Sequence, residues 1–353
     1  MSGIPVFSAG TSLQSSGASV SAQIPADSAG MLPLFVRVTA TAAGYFKLSQ
    51  DGASAAVGDL LIQPSDGLIL KTCGLSQFSF VSQSGASVVT VTPIDVGGIK
   101  YPTNIFTPAA LFTTGVSGAW YDPSDFSTMF QDGAGAVPVT AVGQPVGLIL
   151  DKSGRGNHAF NPSGNSANFP VLQQDGTGQY YLAFNGVNQW LQTNSIDFTY
   201  GDKVFVCAGV RKLNANASVV TELSAAATAN AGSFVVFASG TASDDWYFAS
   251  SGTIYTTASA FGYGPPTTNV VSGVGKISAP SAALRVNSAQ VASSAGPQGT
   301  GNYGNYPLYI GARAGSSLWF NGRLYGLVVA GKAASASEIT NTEAWLNSKT
   351  GAY

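Results

Sequence analysis

Asp151-Lys-Ser-Gly-Arg-Gly-Asn-His-Ala159 is the stretch on which the reading of this chain turns. Glycine, serine and asparagine make it a tight turn, because these residues tolerate left-handed backbone conformations or bond their own main chain. It also gathers Asp151, Lys152, Arg155 and His158, the only histidine, in a protein where 9% of residues are charged. Val146-Gly-Leu-Ile-Leu150 leads into it as a strand, and Tyr180-Tyr-Leu-Ala-Phe-Asn185 follows as another. A polar turn between apolar strand-like runs predicts β structure around it.

The same rhythm extends in both directions. Upstream, residues 34–40, 44–49, 67–73, 77–82 and 86–92 read as short strands punctuated by Gly, Asp, Pro and Ser, and 18–24 as a first strand or an arm that docks on a neighbour, so residues 1–96 are predicted to form a small β-sandwich or jelly roll. Gly97, Gly98 and Pro102 interrupt that rhythm, and residues 97–114 are read as a linker. Downstream the strands lengthen, as in residues 203–211, 233–237, 245–249 and 322–330, and many are apolar on both parities, the pattern of strands covered on both faces. Asn185-Gly186 and Asn321-Gly322 are read as hairpin turns. Ser124 or Asp125 is placed to cap a single helical turn. Ser335 and Glu338 make a capping box, and Gly351 is placed to end the helix it begins. The fold class is all-β, with one C-terminal helix.

Composition excludes several functions. The 353 residues carry a formal net charge of -2 with no basic stripe, which argues against a nucleic-acid partner. No apolar run is long enough to span a bilayer, and Met1-Ser-Gly-Ile-Pro-Val6 does not read as a signal peptide, so no membrane insertion is expected. Cys73 and Cys207 are expected to be buried free thiols. So low a charge density also suits a protein that packs against other subunits.

Four segments together carry a resemblance: Ala119-Trp-Tyr-Asp122, the 151–159 turn, Tyr181-Leu-Ala-Phe-Asn-Gly-Val-Asn-Gln-Trp-Leu191, and the Gly322-Arg-Leu-Tyr-Gly-Leu-Val-Val329 run before the helix. Residues 115–353 resemble the concanavalin A-like lectin/glucanase superfamily in its laminin G-like form. The resemblance implies two stacked antiparallel sheets in a jelly-roll sandwich. The Ala119-Trp-Tyr-Asp-Pro-Ser-Asp125 and 151–159 segments are similar to parts of tailed-bacteriophage structural proteins, and residues 35–41 and 88–94 to small phage head-associated β domains. This implies a virion structural protein of capsid-decoration or head-fibre type, made in the bacterial cytoplasm. Residues 1–96 would anchor it to the major capsid protein or other virion subunits and assemble it as a homo-trimer or other symmetric oligomer. The alternative is a tail-associated or surface adhesin that binds host glycans.

Enzymatic chemistry is not expected. Glycoside hydrolysis needs a carboxylate pair across the scissile bond. Here Glu338 and Glu343 fall on the terminal helix, where capping and solvation explain them, Glu222 has no companion on its strand, and Asp244 and Asp245 point to opposite faces. His158 lacks a nucleophile at a sharp elbow and is read as a loop residue bonding a backbone carbonyl. No cofactor is expected beyond calcium, for which Asp151, Asn157, Asp122 and Asp125 supply oxygen ligands if their loops converge. The competing reading is that Asp151 and Asn157 only hold the turn. For glycan binding, the aromatic side chains of Trp190, Trp246, Tyr247, Tyr255, Trp319, Tyr303 and Tyr306 are candidates. Tyr303 and Tyr306 stand out because they sit in a Gly/Asn loop where burial is harder to arrange.

Overall fold

The structure, a computed structural model, describes residues 10–27, 32–50, 52–64, 66–94, 106–240 and 244–353. The chain divides into two compact units, residues 1–105 and 106–353. Among the described residues no helix is long and apolar enough to cross a membrane.

The first unit is two four-stranded antiparallel sheets. One orders its strands Thr11–Ser15, Ser87–Ile94, Phe35–Ala40 and Leu68–Lys71; the other orders Val20–Gln23, Gln77–Ser82, Gly44–Ser49 and Leu60–Ile62. Alternation builds the core, since successive side chains on a strand face opposite ways. Val36, Val38, Phe46, Phe78, Phe80, Val89 and Val91 therefore point inward and are almost fully buried. Phe46 and Phe78 stack with ring centroids 5.8 Å apart. Leu60, Leu61 and Ile69 lie on the two edge strands and stay exposed. Cys73 is exposed rather than buried: it sits at φ 51° in the turn after Leu68–Lys71, where its side chain has no sheet to cover it.

The second unit is a two-sheet sandwich. A nine-stranded sheet runs Met129–Phe130, Leu148–Ile149, Ala159–Phe160, Leu191–Asp197, Asn305–Ile310, Ser218–Leu223, Ser233–Ser239, Trp246–Ser251 and Tyr255–Ala260. Facing it, an eight-stranded sheet runs Val171–Gln174, Tyr180–Asn185, Asn321–Ala330, Lys203–Lys212, Thr267–Lys276, Ser281–Val286 and Ala289–Ser294, with Gly118–Tyr121 also paired to Asn321–Ala330. Phe184, Val206, Phe234, Trp246, Phe248, Leu284 and Leu327 are among the side chains that fill the space between them.

Strands Lys203–Lys212 and Asn321–Ala330 read as apolar on both parities because the C-terminal helix, Ala336–Thr350, covers the outer face of the eight-stranded sheet, whereas Ser233–Ser239 and Trp246–Ser251 of the other sheet carry a smaller outer layer of Val219, Ala227, Val235, Phe237 and Ala249. Leu111, Phe112, Trp120, Phe205, Cys207, Val328 and Leu346 make a second apolar layer there. Gly209 and Gly326 are directly paired across two strands beneath it. A Cβ on Gly326 would stand 2.8 Å from Leu346 Cδ2, and one on Gly209 would stand 2.8 Å from Thr350 Cγ2, so only glycine lets the helix lie so close. The Ser335–Glu338 capping box forms in both directions, and Gly351 closes the helix in the left-handed region at φ 58°. Asp125 caps the short 3-10 turn Phe126–Thr128.

Several expectations change. Residues 97–105 of the expected linker lie outside the described residues, and 106–114 pack into the second unit: Pro108–Leu111 is a 3-10 turn, and Leu111 and Phe112 are buried against Trp120. Neither Asn-Gly pair makes a hairpin. Asn321 and Gly322 begin a strand and pair with Asn185 and Phe184, while Gly186 turns the chain from one sheet toward the other. Glu343 is buried rather than solvated, held by Arg285 at 2.8 and 3.0 Å, which pins the helix to strand Ser281–Val286.

Candidate functional site

The 151–159 turn is held by hydrogen bonds within itself and to strand Gly118–Tyr121. Asp151 Oδ1 accepts from the backbone N–H of Trp120 at 2.9 Å and of Ser153 at 2.8 Å. Its Oδ2 accepts from Ser153 Oγ at 2.7 Å and from the Asn157 N–H at 3.0 Å. Asn157 Nδ2 donates to the Gly118 carbonyl, and the Tyr121 hydroxyl donates to the Asn157 carbonyl. Burial, then the nearby Asp151 carboxylate, push the Tyr121 phenol well above its ordinary pKa, so it stays a donor. His158 differs from expectation: its Nδ1 accepts from the Asp151 N–H at 3.0 Å instead of donating to a carbonyl.

Asp122 and Asp125 do come close to this turn, but what they surround is an ammonium group. Lys152 Nζ lies 2.7 Å from Asp125 and 3.4 Å from Asp122, and 4.9 Å from the centre of the Trp120 ring. Lys349, from the helix, reaches Asp122 at 3.0 Å. Burial alone would raise the Asp122 pKa, yet Lys349, Ser124 and Lys152 outweigh it and hold it below the ordinary value. Asp125 is likewise held low, burial being outweighed by Lys152 and Ser127. The expected calcium set of Asp151, Asn157, Asp122 and Asp125 is thus corrected: its oxygens are engaged by backbone donors and by two lysines. No cluster of three metal-ligating His, Cys, Asp or Glu side chains occurs among the described residues. A shallow groove runs past this turn along Arg155, Asn157, Asp197 and Tyr200, but Arg155 donates there to the Phe112 and Thr113 carbonyls and Asn157 to Gly118.

Tyr303, Tyr306 and Trp319 do not form one exposed aromatic platform. Tyr303 is 1% exposed, packed edge-on to Phe234 with its hydroxyl bonded to Ser250 Oγ. Room for it comes from Gly275, where a Cβ would stand 2.3 Å from the hydroxyl. Tyr306 is half-buried, lies over Gly304 and donates to the Ala231 carbonyl. Trp319 is half-buried at the other end of strand Asn305–Ile310, beside Phe320, whose N–H bonds Gly311. Trp246 is wholly buried.

A better site lies on the outer face of the nine-stranded sheet, at its Tyr255–Ala260 edge. Along strand Trp246–Ser251, Trp246 and Phe248 enter the core, so Tyr247 points outward. It pairs across the sheet with Phe237 on one side and Ser259 on the other. Phe237 and Tyr247 meet edge to face at 5.3 Å. Tyr255 leans over the same face; burial, then a hydrogen bond to Tyr247, raise its phenol pKa. With Asp245, Ser259, Phe261 and Arg313 they line a cleft of about 390 Å³, in the size range of small-ligand sites. Ser259 is exposed, and Phe261, at 67%, is the most exposed phenylalanine of the unit.

An ion pair makes the cleft's floor rigid. Arg313 Nε lies 3.1 and 3.0 Å from the two Glu222 oxygens, its Nη2 lies 2.9 Å from Oε1, and the Ala227 N–H adds a bond at 2.6 Å. Arg313 also lies over Phe237, 5.5 Å from the ring centre. Glu222 therefore does have a partner, supplied from 91 residues away. Tyr247 and Tyr255 were legible as aromatic candidates, and the outward direction of Tyr247 follows from the parity of Asp245-Trp-Tyr-Phe248. Arg313 carried no sequence signal of its own.

The geometry defines an all-β, two-sheet sandwich with one outer face under a helix and an aromatic cleft on the other. No family model and no curated protein matches the chain. Solved structures that it matches include the botulinum neurotoxin type G receptor binding domain, at 12% identity over 56% of this chain and 48% of that one, with a TM-score of 0.41. Domain 4 of AbnA, a GH43 extracellular arabinanase from Geobacillus stearothermophilus in complex with arabinotriose, matches at 12% identity over 64% of this chain and 98% of that one, with a TM-score of 0.43. The CBM40 of Ruminococcus gnavus IT-sialidase bound to alpha2,3 sialyllactose matches at 13% identity over 40% and 83%, with a TM-score of 0.33. The chain thus spans about half the length of the neurotoxin domain. At these TM-scores the likeness assigns no activity.

Proposed function

We propose that the 106–353 unit is a non-enzymatic carbohydrate-binding module whose binding surface is the Tyr247–Tyr255 cleft. The observation that carries this reading is an outward tyrosine pair, flanked by Phe261 and the Ser259 hydroxyl, on a sheet face whose opposite side is packed core. A saccharide presents C–H patches between hydroxyls, so it is matched by aromatic rings set beside polar atoms. The three glutamates each have an assigned structural partner: Glu222 with Arg313, Glu338 with Ser335 and Lys332, Glu343 with Arg285. That supports binding without hydrolysis, because none of the three glutamates is left to act as one of a carboxylate pair across a scissile bond. The test is a glycan array with the full chain, followed by titration of each hit against Tyr247→Ala and Tyr255→Ala. Hits that both variants weaken support the reading; hits that neither weakens, or release of sugar from a bound polysaccharide, refute it.

A second reading concerns where the module is carried: a bacteriophage virion structural protein of capsid-decoration or head-fibre type. It is favoured by the two phage-like segments, 119–125 and 151–159, being locked to each other through Asp151, Asn157 and Lys152. The apolar edge residues Leu60, Leu61 and Ile69 of the first unit favour association with other subunits. Detection of the protein in purified particles, in symmetric copies, would support this reading, and its absence from them would end it.

A further inference from the structure

We infer that the cleft takes an uncharged saccharide and discriminates against sialylated or uronic-acid sugars; this deepens, and rests on, the reading of the cleft as a carbohydrate site. The argument is a census of the charges that face it. Arg313 is the one cation among the described lining residues, and Glu222 engages it through three contacts of 2.9 to 3.1 Å. Its charge is therefore neutralised from beneath, by a carboxylate that is 0% exposed and cannot swing away to let a ligand acid replace it. Lys212 is close by but turned inward: its ammonium donates to the Ala238 and Asp245 carbonyls under the sheet and lies 4.9 Å from the Trp246 ring centre.

The other charged side chain among the described lining residues is a carboxylate. Asp245 lines the cleft, where its Oδ1 accepts from the Gly240 N–H at 3.2 Å, and Asp244 precedes it. A ligand carboxylate would meet a matched arginine and an aspartate, and like charges brought together at a desolvated surface are strongly disfavoured. A neutral sugar meets the same groups as hydrogen-bond acceptors and donors, with the rings of Tyr247, Tyr255 and Phe261 left for its C–H faces.

The experiment is calorimetric or saturation-transfer NMR titration of the full chain with neutral gluco-, galacto-, xylo- and arabino-oligosaccharides, and in parallel with sialyllactose and oligogalacturonate. The expected result is saturable binding of a neutral oligosaccharide, with the anionic ligands at least about tenfold weaker. Ser259→Trp, an exposed position opposite Tyr247, should abolish binding by filling the cleft without touching the core. Ser259→Lys should narrow the gap between neutral and anionic ligands by adding an unmatched cation. Anionic ligands binding as tightly as neutral ones to the wild type, with Ser259→Trp abolishing both, would overturn the inference while leaving the site intact. Binding of neither class, or binding indifferent to Ser259→Trp and Tyr247→Ala, would overturn the site itself and the inference with it.

Discussion

Replacing Arg313 by methionine tests whether the floor of the cleft is held by its ion pair. Methionine keeps much of the arginine stem's volume over Phe237 but leaves the Glu222 carboxylate, wholly buried, with only the Ala227 N–H of its present donors. Removing one partner of a buried pair costs about 3–5 kcal/mol, because the other charge stays desolvated. For a unit of about 150–250 residues each kcal/mol moves Tm by about 2–4 °C, so a fall of roughly 6–20 °C is expected. All five tryptophans, Trp120, Trp190, Trp246, Trp319 and Trp345, lie in the second unit, so tryptophan fluorescence during thermal or urea unfolding reports that unit alone. The double variant Glu222→Gln with Arg313→Met should recover more than half of the loss, since no charge is then stranded. A loss below about 1 kcal/mol for the single variant, or no recovery in the double, would refute the view of the pair as a buried, mutually dependent unit.

Gly326→Val should lower stability by about 1–3 kcal/mol in urea, since its Cβ would stand 2.8 Å from Leu346 Cδ2 and the helix would have to lift. Asp151→Ala leaves the backbone donors of Trp120, Ser153 and Asn157 without their acceptor and should cost at least about 2 kcal/mol, while adding calcium or EDTA to the wild type should not move Tm; a calcium-dependent rise of several degrees would show that the ion displaces Lys152. Lys212 gives a pH signature. Burial, opposed by Asp245 and Asp244, lowers its pKa to about 8 from the ordinary 10.5. Above pH 8 the native state sheds that proton before the unfolded chain does, so this group's contribution raises stability as pH climbs from about 8 toward 10. Beyond that window the buried Tyr121 and Tyr303, whose phenols resist ionisation in the fold, reverse the trend. Lys212→Met should remove the rise, as urea midpoints measured at several pH values in that window would show.

What could be read from the chain was what local patterning controls. Ser335, Glu338 and Gly351 specify a helix and its ends within sixteen or so residues, and they do so because capping satisfies orphan backbone groups locally. The 151–159 turn was legible for the same reason. Tyr303 was misplaced because its burial depends on Gly275 and Ser250, far away in sequence, which leave space and a hydroxyl for it inside the sandwich. Glu343 was misplaced because its partner, Arg285, lies 58 residues away on a strand beneath the helix. The Asn-Gly signals failed where sheet pairing overrode turn chemistry, so that Asn321 and Gly322 became strand residues.

The helix also bears on where binding can occur. It lies on the outer face of the eight-stranded sheet, using Leu346 over a glycine pair and Trp345 against Trp120, and so consumes that face for packing. The edge with the 151–159 turn is consumed by hydrogen bonds and lysine–aspartate pairs. Within this unit the outer face of the nine-stranded sheet is different: its apolar layer is smaller, and next to that layer Tyr247, Tyr255 and Phe261 leave ring surface accessible. Aromatic surface that folding could have buried and did not is more economically explained by a ligand than by stability. If that is right, Tyr247→Ala should weaken saccharide binding while shifting the urea midpoint far less than Phe248→Ala, its neighbour on the core side, for which loss of a buried ring costs about 3–5 kcal/mol. Equal destabilisation by the two substitutions would instead make Tyr247 a packing residue and remove the main support for the cleft.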